Sequence, residues 1–158
     1  MFVNIGGGTD PSVDNYDRVD FLSSQMPAGA GYRTYVHYGQ LVDQDKEAFK
    51  RFDYGSKAEN QKHYGQDYAP DYDLSVVDVP MAMLSGSIDV LADPADVKWT
   101  HEQLKHTVVF FHEYYLDHQS FAIAKNMSWF TVDAMAVINH YNGRCSEATK
   151  NSKFALGN

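Results

Sequence analysis

Apolar and polar positions follow different patterns on either side of Leu74. Downstream, LSVVDVPMAMLSG holds a short continuous apolar run, which predicts a buried strand over Pro80–Leu84, closed by Ser85-Gly86. After the loop SIDVLAD, Asp93-Pro94-Ala95-Asp96 predicts a helix start. Asp93 can cap, Pro94 suits the first helical position, and Asp96 favours the positive end of the dipole. Val97, His101 and Leu104 give that helix one inward stripe. Thr107–Tyr114, TVVFFHEY, is β-branched and aromatic, hence a second strand. A last helix is predicted over Ser120–Tyr141, where Ile123, Met127, Phe130, Ala134, Val137, Ile138 and Tyr141 make an amphipathic stripe. Residues 74–142 thus alternate strand, helix, strand, helix. That order predicts parallel strands joined by a right-handed crossover, with helices covering the sheet: an α/β class. Two strands do not make a stable sheet alone, so further strands are expected beside them.

Upstream the signal is weaker. Residues 1–20 are rich in Gly, Asp, Asn and Ser, and GGGTDP and MPAGAG predict irregular chain to about Gly31. Tyr32 to about Phe52 is predicted helical from the spacing of Tyr35, Tyr38, Leu41, Val42, Ala48 and Phe49, although Gly39 costs about 1 kcal/mol of helix propensity. FDYGSKAENQKHYGQDYAPDYDL, residues 52–74, has no clean period and predicts an ordered but irregular segment. Its tyrosines suit that role, because the ring packs while the hydroxyl meets a polar partner or water. Beyond Asn142 the tail NGRCSEATKNSKFALGN is polar.

Composition narrows the function classes. The 158 residues carry 13 Lys+Arg against 21 Asp+Glu, a net charge of −8, which argues against a nucleic-acid grip. The single Cys excludes an internal disulfide, a cysteine-cluster zinc site and a thioredoxin-type pair. No apolar run approaches the roughly 18–20 residues of a membrane span. MFVNIGGGTDPSVDNYD lacks the basic start and apolar run of a signal peptide.

In parallel sheets, functional residues collect at the carboxyl ends of strands. Asp89 follows the first predicted strand and His118 the second. One helix and one strand fill the residues between, so the crossover returns the chain to the same sheet edge and both side chains can reach one crevice. A carboxylate bonded to the far nitrogen of an imidazole fixes its tautomer and stabilises the imidazolium formed in general-base catalysis. An acid and then a histidine, after successive strands and late in the chain, is the order of α/β-hydrolases, where the nucleophilic serine comes earlier.

The residues around this pair resemble a known family. LSGSIDVLADPADV is similar to the acid-lipase pattern Gly-x-x-Asp-x-Leu-Ala-Asp-Pro-x-Asp-Val, and YLDHQSF to that family's histidine turn, Tyr-x-His-x-Asp-Phe. FDYGSKAENQKHYGQDYAPDYDLSVVDVP and PAGAGYRTYVHYGQ resemble further family segments in the same order. The resemblance, to the gastric and lysosomal acid lipases, runs from about Met26 to Tyr141. It implies the C-terminal part of an α/β-hydrolase. Residues 1–73 would be the end of the cap with an irregular N-terminal segment. Residues 74–142 would be the last βαβα part of the core, and 143–158 a polar tail. It further implies Asp89 as the triad acid, His118 as the general base, a lipid ester as substrate, and a secreted, lysosomal or endosomal location. Asp93 and Asp96 match the family's helix start and are kept as caps.

Departures from the family shape the expectation. The chain has no Gly-x-Ser-x-Gly and no counterpart of the family's oxyanion-hole region, so it contains no nucleophile. Alone it is expected to be inactive. A missing or partner segment would supply the serine, or another subunit would cover the open sheet edge. The alternative is a non-catalytic structural or interaction subunit derived from a lipase fold. Gln119-Ser120 also replaces the usual apolar-Asp pair before Phe121.

Other features carry less. His112, Glu113, Asp117 and His118 in HEYYLDH have the wrong spacing for a helical zinc pair, so no metal is expected, and no cofactor. His37, His63, His101, His106 and His140 have no partners at informative spacing and are expected partly exposed. Gly6-Gly7-Gly8 lacks the context of a phosphate loop. Asn126-Met127-Ser128 fits the glycosylation sequon, on what reads as the last helix.

Overall fold

The computed structural model describes residues 10–25, 28–42 and 48–144. The triple glycine, most of the predicted tail and Cys145 lie outside the described residues. In chain order the helices and strands are α1 (Val19–Gln25), α2 (Tyr32–Val42), α3 (Lys57–Tyr64), β1 (Met81–Gly86), α4 (Pro94–Leu104), β2 (Val108–Tyr114), α5 (Ser120–Ile123) and α6 (Met135–Tyr141). They divide into two compact units: Pro27–Val76, and Met1–Met26 together with Val77–Asn158.

The smaller unit is held by aromatic and polar contacts, among them Phe52 edge-on to Tyr54 and Phe49 against Tyr72. α2 is helical as predicted, but the chain from 48 to 52 is extended, with Lys50 bridged to Asp71 in antiparallel sense. The Gln40 side chain pairs with both backbone groups of Asp53, at 2.8 and 3.0 Å, and His37 Nε2 donates to the Lys50 carbonyl at 2.8 Å. Within the stretch predicted irregular lies α3. Ser56 caps it, its hydroxyl accepting from Glu59 N at 3.2 Å, and Gly65 ends it in the left-handed region at φ 71°. Ser-x-x-Glu is the capping-box signature, and α3 has no apolar stripe for a periodicity argument to find. One helical residue is buried. Asn60 accepts from Tyr54 N at 3.0 Å and donates to Asp53 Oδ1 and to the Asp67 carbonyl, tying the helix to both flanking loops.

The larger unit contains the predicted crossover. β1 pairs with β2 in parallel, in a register that runs from Ala82↔Phe110 to Gly86↔Tyr114. Among the described residues they form a sheet of two strands. α4 connects them. Asp93 Oδ1 accepts from Ala95 N at 2.7 Å and Pro94 opens the helix, as its sequence dictates. β1 extends two residues past its predicted end, because Ser85 and Gly86 pair with Glu113 and Tyr114 instead of closing the strand. Leu104, Phe110, Leu116, Ile123, Ala124 and Ala136 are the buried apolar residues of this unit.

The predicted helix over Ser120–Tyr141 is broken. α5 stops at Ile123, Ala124 turns to an extended conformation (ψ 147°), and helical structure resumes as a π turn over Trp129–Ala134 that runs into α6. The cause is tertiary. Asp14 bridges Ala124 in antiparallel sense, Asn15 N bonds the Ile123 carbonyl and Lys125 N the Val13 carbonyl, both at 2.8 Å. A segment predicted as loop therefore takes the backbone groups a continuous helix would have used. That segment also folds locally: Asn15 caps a 3-10 turn over Tyr16–Arg18, which leads into α1.

Candidate functional site

Both strands end together, and the loops beyond them run side by side. Ser87 N donates to the Tyr114 carbonyl at 2.8 Å and Ile88 N to the Leu116 carbonyl at 3.4 Å, continuing the ladder past the strands. Gly86 permits this approach. A β-carbon there would overlap the Leu116 carbonyl oxygen and lie 3.2 Å from Asp89 Cβ. Only a residue without a side chain lets the two loops close to this distance.

Asp89 and His118, paired in the sequence analysis, are brought together. Asp89 Oδ2 lies 3.1 Å from His118 Nδ1. The other carboxylate oxygen, Oδ1, accepts from Leu91 N at 2.8 Å and Ala92 N at 2.9 Å. The carboxylate is thus fixed at one end by backbone and directed at the imidazole by the other. The Asp89 side chain is 3% exposed and that of His118 49%. A buried carboxylate at Nδ1 favours the tautomer with its proton on Nδ1, leaving the Nε2 lone pair as the basic site. The pair borders a cavity of about 500 Å³, whose lining also includes Ser85, Val97 and Phe121. Ser85 is buried in β1 and its hydroxyl has no hydrogen-bond partner, so it makes no hydrogen bond to His118.

The turn carrying His118 is itself anchored. Ser120 Oγ accepts from Asp117 N at 3.1 Å and donates to Asp14 Oδ1 at 2.6 Å, while Asp14 Oδ2 accepts from Asp10 N at 3.0 Å. Ser120 and Asp14 are fully buried. On the other side, the Tyr114 hydroxyl donates to Asp133 Oδ2 at 2.7 Å. Burial, and then this carboxylate, pushes the Tyr114 phenol well above its ordinary range.

The remaining predicted residues fall elsewhere. His112 packs edge-on against Tyr114, and among the described residues no group of three His, Cys, Asp or Glu side chains is placed to hold a metal. His101 stacks on Phe111, His106 reaches the Val77 carbonyl and His63 stacks on Tyr54. Asn126 stands on the exposed loop between α5 and the π turn, not on a helix.

No family model matches the chain. Individual proteins do. Lipase member N of Homo sapiens is 36% identical over 104 residues, which are 66% of this chain and 26% of that protein. Gastric triacylglycerol lipase of Rattus norvegicus is 40% identical over 90 residues, 57% of this chain and 22% of that protein. Lysosomal acid lipase/cholesteryl ester hydrolase of Homo sapiens is 40% identical over 99 residues, 63% and 24%. The chain is a relative of the acid lipases. It spans about a quarter of the length of the curated relatives it matches. The parallel pair and its crossover helix are accordingly part of an α/β-hydrolase core.

In this acid-lipase relative the departure at Gln119-Ser120 has a structural counterpart. The family pattern places a carboxylate at position 120. Here a serine stands there, and its hydroxyl bonds the carboxylate of Asp14, 106 residues away in sequence. Sequence reasoning passed over Asp14, because an aspartate in a Gly- and Asn-rich segment ordinarily caps a turn or meets solvent. The signal that was available was the broken family motif, which asks what now partners residue 120.

Proposed function

We propose that this chain supplies the acid and base of a Ser-His-Asp triad in a lipid-ester hydrolase, with the nucleophilic serine and oxyanion hole on another segment. The contact of 3.1 Å between Asp89 Oδ2 and His118 Nδ1 carries this reading. It is supported by the sheet-end position of both loops and by the relationship to proteins named as lipases. In the reaction, a serine hydroxyl attacks the ester carbonyl while His118 Nε2 takes its proton. Asp89 stabilises the resulting imidazolium. Collapse of the tetrahedral intermediate expels the alcohol, which leaves with the proton returned from His118. Water then repeats the sequence on the acyl-enzyme and frees the acid. Asp89 is held by two backbone amides, so its carboxylate keeps its orientation while the imidazole changes charge. The proposed location is secretory or lysosomal, by analogy with the gastric and lysosomal relatives.

The test combines the chain with a segment bearing the nucleophile and oxyanion hole, and follows hydrolysis of a short-chain ester. Activity should appear only in the mixture and should be abolished by His118→Ala. Activity retained by His118→Ala would overturn the assigned role. A mixture that assembles and stays inactive would favour a non-catalytic subunit of a lipase fold.

A further inference from the structure

We infer that Asn126 is an acceptor for an N-linked glycan, a site distinct from the Asp89–His118 cavity. Asn126-Met127-Ser128 is the only Asn-x-Ser/Thr triplet in the sequence. On a continuous helix its backbone would be locked into i to i+4 bonding and its amide committed to one helical face. The fold removes that obstacle. The pairing of residues 13–15 with 123–125 ends α5, and Asn126 and Met127 fall on the loop that follows, with Ser128 at the start of the π turn. Asn126 and Ser128 are both exposed. Asn126 Oδ1 accepts from Ser128 N at 2.9 Å, a local turn that closes the triplet on itself. The carbonyl oxygen is thus engaged by Ser128 N, and Nδ2 is the atom on which transfer takes place. Asn126 and Ser128 line a second cavity of about 300 Å³ that shares no lining residue with the cavity of the Asp89–His118 pair. A glycan here would leave that pair accessible.

The chemistry needs a lipid-pyrophosphate-linked oligosaccharide as donor. Asn126 Nδ2 forms a bond to the sugar anomeric carbon and loses one proton to a base of the transferase. The bond from that carbon to the pyrophosphate oxygen breaks, and the lipid pyrophosphate leaves. No oxidation state changes.

The inference rests on the secretory location proposed above and not on the triad. The experiment therefore supplies the compartment. The full chain is expressed in eukaryotic cells behind a cleavable secretory leader and carries a C-terminal tag with its own glycosylated sequon. Intact mass should show two glycans. Asn126→Gln and Ser128→Ala should each lose one, Ser128→Thr should keep both, and glycosidase F should convert Asn126 to aspartate in the peptide map. A tag that is occupied while Asn126 is bare would overturn the inference. So would a glycosylated chain digested by protease much faster than its deglycosylated form, since the site would then not be a surface loop of the fold. Failure of the ester assay leaves this result untouched. Asn126 glycosylated on the naturally produced protein reports the compartment separately.

Discussion

Replacing Ser120 by alanine should destabilise the larger unit far more than the loss of one small hydroxyl suggests. The hydroxyl holds two groups at once: it accepts from Asp117 N and donates to Asp14 Oδ1. Both Ser120 and Asp14 are 0% exposed and Asp117 is 5% exposed, so neither partner gains bulk water when the hydroxyl goes. A hydrogen bond to a charged group contributes about 1.5–3 kcal/mol, and an orphaned buried N–H costs about 1–3 kcal/mol. Even at their lower ends these amount to about 2.5 kcal/mol, against roughly 0.5 kcal/mol for a substitution that touches nothing. Urea unfolding followed by circular dichroism measures the difference as a lowered midpoint at unchanged slope. A cycle with Asp14→Ala should show coupling of at least about 1 kcal/mol, because both variants remove the same bond. Ser120→Asp should be worse than Ser120→Ala, since it places two carboxylates in one buried site, and Asp14→Ser in the same chain should recover part of the loss. A Ser120→Ala midpoint close to wild type, or additive single and double variants, would refute the clamp.

Three further outcomes follow from the same contacts. Gly86→Ala should cost about 1–3 kcal/mol by driving the Leu116 backbone away, and in the complemented ester assay it should lower kcat by separating the loops of Asp89 and His118. A Gly86→Ala chain with wild-type midpoint and rate would mean that the loops do not approach as described. Tyr114, whose folded pKa is raised, stabilises the fold fully below its ordinary value of 10.0. That contribution is lost as pH climbs above it, by about 1.4 kcal/mol per pH unit while the unfolded chain alone is ionised. Tyr114→Phe should be weaker at neutral pH yet flatter between pH 10 and 11; parallel pH profiles for the two proteins would contradict the Tyr114–Asp133 bond. Asn60→Ala should cost the smaller unit about 2–4 kcal/mol through three lost bonds at a buried position, read as faster amide exchange at Tyr54. Unchanged exchange there would show that Asn60 is not the tie.

What was legible in the sequence is what neighbouring residues encode. Asp93-Pro94 fixes the start of α4 whatever lies around it, and the β-branched run at Thr107–Tyr114 leaves little alternative to a strand. From those two elements the shared sheet end of Asp89 and His118 follows by topology. The break at Ala124 was not legible, because its cause is a segment paired with it from the other end of the sequence, and the stripe from Ile123 to Tyr141 continues through it at good helical spacing. α3 failed for the opposite reason. Its caps are local and readable, but Lys57–Tyr64 buries only Asn60, so no apolar period marked it.

The contact between Asp89 and His118 is set in place by the two paired strands and the loops at their end. Their geometry is fixed by four features: the register that ends β1 and β2 together, the bare Gly86, the two amides on Asp89 Oδ1, and the Ser120–Asp14 clamp behind the histidine turn. None of them draws on a third strand. A serine nucleophile is different, since its elbow needs its own strand and helix and its oxyanion hole needs backbone amides from elsewhere. The two halves of a triad therefore make unequal demands. Under the proposed function, what a complementing segment must bring is an activated position for serine and donors for the oxyanion. That makes the docking of the two pieces, and not the formation of the Asp–His contact, the step that sets how much activity reconstitution returns.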